Sequence, residues 1–117
     1  MKNQVLPPEQ IELVQIKLMA LLVYAKKLDG RPLPHCFRHC ERIVRNIDIF
    51  RNSCYDGIDE LTQLIKEDWR AACHPRAGFS EYYIPNDEAE IRKCTNLALF
   101  KQISEIEELI NPKGVAD

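Results

Sequence analysis

Between Leu18 and Ala25 the chain reads Leu-Met-Ala-Leu-Leu-Val-Tyr-Ala, without a charge, inside a helical pattern that starts near Pro8 and stops at Asp29-Gly30. A helix apolar on every side requires neighbours on every side. This stretch is therefore expected to be the central rod of a small helical bundle, with three later segments packed round it.

The rest of the first helix supports that expectation. Pro7-Pro8 suits a first turn, where a missing N–H removes nothing, and Glu9 meets the positive end of the dipole. Ile11, Val14, Leu18, Leu21, Ala25 and Leu28 form one apolar stripe, and Leu13, Ile16, Ala20 and Val23 form a second beside it. Two seams predict at least two partner surfaces. The same helix could also pair with its copy, so a homodimer is a further expectation. Gly30 and the stiff Arg31-Pro32-Leu33-Pro34 connector end it.

Three further helices follow from periodicity. The second spans about Pro34 to Asn52, with Cys36, Cys40, Ile43, Ile47, Phe50 and Cys54 on its inner stripe. The third spans about Tyr55 to Cys73, with Ile58, Leu61, Ile65, Trp69 and Ala72 inward and His74-Pro75 as its stop. Asp68 falls in the middle of that apolar stripe, which requires either a turn to solvent or a partner such as Arg51. The fourth opens on the capping-box variant Asp87-Glu88-Ala89-Glu90 and runs to about Ile110, before Asn111-Pro112 and Gly114. Its stripe of Leu99, Ile103, Ile106 and Ile110 is rotated from Ile91, Cys94 and Ala98, so its two halves face different neighbours or it bends. No period-2 run is long enough for a strand. The fold class is all-α: a single-domain antiparallel four-helix bundle over residues 1–117, with a long loop between helices three and four.

Size and composition bound the setting. With 117 residues, 45% of them apolar and 29% charged, the chain can bury a core without a metal or disulfides. Five cysteines is an odd number, against a fully paired secreted framework. Glu9, Glu12 and Lys17 interrupt the early apolar stretch, and Lys26-Lys27-Leu28-Asp29 is no small-residue cleavage site. No apolar run approaches the ~20 residues that span a bilayer. The expected home is the cytoplasm, with no membrane partner.

Charge is unevenly spread. The formal net charge is -2, yet residues 31–51 carry +3. On the second helix Arg38, Arg42 and Arg45 lie opposite the apolar stripe, with Ile49 in the same arc. An apolar anchor ringed by arginine is typical of interface cores. The 74–86 connection, long for a compact bundle, carries Arg76, Phe79, Tyr82, Tyr83 and Ile84 as a binding loop or a lid over one bundle end.

No nucleophile–base pair, phosphate loop or cysteine knuckle stands out, so no catalytic residue, metal or cofactor is assigned. The reading is a non-enzymatic interaction module of the adaptor, inhibitor or assembly-factor type. It binds and regulates another macromolecule, a protein with an acidic surface, through Arg38, Arg42, Arg45, Ile49, Arg76, Phe79, Tyr82 and Tyr83. The first alternative is a nucleic-acid-binding subunit using the same basic face. The second is a metal or redox-sensing site at His35, His39, Cys73 and His74, weakened because neighbouring helical residues point about 100° apart.

Overall fold

The computed structural model describes residues 5–74, 76 and 78–112. Pro75, Ala77 and Gly114 lie outside them. Four helices account for the architecture: α1 (Pro8–Leu28), α2 (Cys36–Asn52), α3 (Ile58–Ala72) and α4 (Ala89–Ile110). The described residues contain no strand, and no helix among them is long and apolar enough to cross a membrane.

Three helix pairs meet in opposite order. Along α1 and α4, Gln10 Nε2 donates to the Leu109 carbonyl, Lys17 pairs with Glu105, and the Tyr24 hydroxyl donates to the Thr95 carbonyl. Along α1 and α2, Glu12 pairs with Arg51, Gln15 Nε2 donates to the Val44 carbonyl, and Lys26 pairs with Glu41. Between α3 and α4, Lys66 Nζ donates to the Ile110 carbonyl and Trp69 Nε1 donates to Glu107. The inner stripes of all four helices supply one continuous core.

α1 packs chiefly on α2 and α4. Leu18, Leu21, Leu22 and Ala25 are buried, whereas Met19, Ala20 and Val23 are exposed. The expectation of a rod enclosed on every side is corrected: the stripe Leu13, Ile16, Ala20 and Val23 faces outward, with Ile16 at 60% and Val23 at 63% exposure. Ahead of α1, Leu6 is buried and its amide donates to Thr62 Oγ1 at 3.1 Å, tying the chain entrance to α3.

The turn after α2 explains two further corrections. Cys54 and Tyr55 adopt left-handed φ of 56° and 61°, and Gly57 follows at 78°. The Tyr55 amide returns to the Phe50 carbonyl at 2.8 Å, so the helix has already stopped. Cys54 consequently leaves the inner stripe and is exposed, while Cys36 and Cys40 remain in the core. α3 begins only at Ile58, after the left-handed Gly57. At α4 no capping box forms from Asp87: the helix starts at Ala89, and Asn86 Oδ1 accepts the Glu88 amide instead. Ile91 and Cys94 are exposed, so the rotated first half of α4 lacks a buried stripe.

The connection before α4 is part of the core. Phe79, in a short 3-10 turn over Phe79–Glu81, and Tyr82 both meet the Phe37 ring edge-on, at centroid distances of 5.2 and 5.1 Å. Phe79 also lies 5.5 Å from the Trp69 ring. Asn96 clamps the exit by bonding both backbone groups of the buried Ile84, accepting its N–H at 2.7 Å and donating to its carbonyl at 2.9 Å.

Candidate functional site

The outer face of α2 forms because its inner stripe is apolar and fully used. With Cys36, Phe37, Cys40, Ile43 and Ile47 in the core, the helical repeat turns Arg38, Arg42, Arg45 and Ile49 outward. Ile49 is 57% exposed in line with the three guanidinium groups. Among the described residues no side-chain hydrogen bond or ion pair holds Arg38 or Arg45. Arg38 also lines a groove of about 600 Å³ between α2 and the 31–34 connector, beside Lys26, Arg31 and Glu41.

Arg42 is different. Its Nη1 reaches Asp68 Oδ1 on α3 at 3.2 Å, and His39 Nδ1 reaches the same oxygen at 3.0 Å. A carboxylate can only accept, so His39 carries its hydrogen on Nδ1 towards Asp68. Asp68 is thereby buried with two donors, and neither is Arg51, which instead bonds Glu12, Asp48 and Gln15. An Asp–His contact fixes an imidazole tautomer, as acid–base pairs require. Beside this pair, the His35 ring lies 5.3 Å from that of His39.

The second half of the expected surface divides. Arg76 and Tyr83 are exposed, Tyr83 at 53%. Phe79 and Tyr82 are buried and are removed from the set of contact residues, because the aromatic cluster with Phe37 and Trp69 consumes their faces. Residues 79–84 form a lid over the bundle end.

That lid is anchored on a residue whose role the sequence reading missed. Asp29, at the C-terminal end of α1, is buried and accepts from the Arg31 amide, from Arg31 Nε and Nη2, and from the Tyr82 hydroxyl. Arg31 continues to the Tyr83 carbonyl at 2.9 Å and lies 5.9 Å from the centre of the Tyr83 ring. The Arg31 hydrogen bond holds the Asp29 carboxyl down at about 2, and burial and Asp29 push the Tyr82 phenol up. A signal was present: a carboxylate at the negative end of a helix dipole is unfavourable unless paired.

The thiols and imidazoles do not assemble a ligand set. Among the described residues no three His, Cys, Asp or Glu side chains are placed to hold one ion. Burial pushes the Cys36 thiol up to about 11 and the Cys73 thiol to about 12, and it raises Cys40 further. Such thiols carry little thiolate, the reactive and metal-binding form. Comparisons with protein-family models, curated proteins and solved structures each return no match.

Proposed function

We propose that this chain is a non-enzymatic interaction module that docks an acidic protein surface against the outer face of α2 and regulates that partner by occluding it or holding it in one state. The observation that supports the reading most is Ile49, more than half exposed and aligned with Arg38, Arg42 and Arg45. Desolvating an apolar anchor supplies affinity, while flanking arginines supply orientation and encounter rate. Arg38 and Arg45 are the groups available to a partner. Arg42 is already committed to Asp68 and positions the edge of the face. Five unpaired cysteines suit a reducing compartment such as the cytoplasm.

The test compares the wild type with R38E/R45E and with I49A as baits in the source cell, followed by binding of the recovered partner in purified form. Loss of binding in both variants, with unchanged helical content, is the expected result. Equal binding by all three proteins retires the face. Retention of the purified protein on duplex DNA across a salt series separates the nucleic-acid reading, since phosphate contacts give a steep fall in affinity with salt.

A further inference from the structure

The outward stripe of α1 continues beyond its apolar residues. Glu9, Leu13, Ile16, Ala20, Val23 and Lys27 are all exposed and share one face of the helix. Their spacing, 4-3-4-3-4, is identical from either end. The intervening charges are turned aside: Glu12 pairs with Arg51 and Lys26 with Glu41 towards α2, and Lys17 pairs with Glu105 towards α4. What remains is an uncharged strip with an acid at one end and a base at the other.

We propose that two copies of this chain associate through this strip as an antiparallel, two-fold symmetric helix pair. A two-fold contact requires that residue i meet residue j while j meets i. Centring the axis at the level of Leu18 satisfies this at every position. Leu13 lies opposite Val23 of the second copy, the large Ile16 opposite the small Ala20, and Glu9 opposite Lys27. The alternating four-and-three spacing of the strip is that of a seam between two paired helices. A parallel arrangement would set Glu9 on Glu9 and Lys27 on Lys27, so charge selects the antiparallel one. From Glu9 to Lys27 the seam is about 27 Å long. An interface of one helix pair is small, so the dimer separates on dilution. The strip lies on α1, and the inference does not rest on the α2 docking face.

Sedimentation equilibrium of the full chain at low salt, from about 1 μM to about 500 μM, spans the affinity range of a small interface. The wild type should pass from monomer to dimer, and I16E/V23E should stay monomeric. E9K and K27E should each weaken the dimer by roughly 3- to 30-fold, because an attractive pair becomes a repulsive one twice per dimer. The double variant E9K/K27E should regain wild-type association. Circular dichroism checks that each variant keeps its helices; Glu9 and Lys27 lie outside the core, so the charge exchange reads the interface even if I16E/V23E unfolds. A wild type that remains monomeric throughout overturns the proposal. So does a dimer that survives I16E/V23E, or a double charge exchange that fails to restore what the single exchanges remove.

Discussion

The Tyr82 hydroxyl donates to Asp29 Oδ2 at 2.8 Å, joining the lid to the end of α1 across 53 residues of chain. With Arg31 on the same carboxylate, Asp29 becomes the fixed point of that bundle end.

Acid should loosen this end in a defined window. The Asp29 carboxyl is lowered from 3.8 to about 2 by folding, so the unfolded chain takes up the proton first. Its contribution to stability is complete above the unfolded value and is lost as pH falls towards 2. At about 1.4 kcal/mol per pKa unit, the loss is about 2 kcal/mol. Urea midpoints measured from pH 5 down to pH 2 should fall for the wild type. D29N should start lower at pH 7 and lack this component of the decline, whereas Y82F should cost about 0.5–1.5 kcal/mol and keep it.

The lid residues should divide by burial. F79A removes a ring packed on Phe37 and Trp69 and is expected to cost about 3–5 kcal/mol. Y83A, losing an exposed ring and its contact with Arg31, is expected to cost less than about 1 kcal/mol. Urea unfolding of the two variants checks the difference, and equal costs would contradict the placement.

Thiol reactivity should follow the same division. Cys54 and Cys94 are exposed, whereas Cys36 and Cys40 are buried and Cys73 is half-buried with its thiol raised to about 12. Titration of the native protein with a disulfide reagent at neutral pH should show two fast groups and three that react only on unfolding. Fast labelling of Cys40, read by mass spectrometry, would contradict its burial.

Asp68 should matter more than its exposed partner. D68A leaves the His39 and Arg42 donors without their shared acceptor beside a void and should cost about 1–3 kcal/mol. R42A removes a guanidinium from a side chain 55% exposed and should cost less than about 1 kcal/mol. The double variant R42A/D68A closes the cycle and should cost less than the sum of the two singles, as expected for residues in contact.

These contrasts also mark what the sequence made legible. The inner stripes of α2, α3 and the second half of α4 were readable because helical periodicity states which residues share a face. Periodicity does not state whether a face has a neighbour, which is why Leu13, Ile16, Ala20 and Val23 read as a second packing seam and emerge exposed. The lid was half legible for another reason: Phe79, Tyr82 and Ile84 lie in an aperiodic segment, and only tertiary contacts with Phe37 and Asn96 decide their burial. Of the candidate face, Arg38, Arg45 and Ile49 follow from the α2 pattern alone. The partners of Asp68 and Asp29 come from other elements and needed the fold.

The Leu6 clasp on Thr62 sets a limit for anyone trimming the protein. Cutting the chain back to the first turn of α1 would strip a buried leucine from the core and leave the Thr62 hydroxyl without its amide donor. A shortened version beginning at Pro8 should therefore be more readily nicked by proteases near α3, far along the chain from the cut itself.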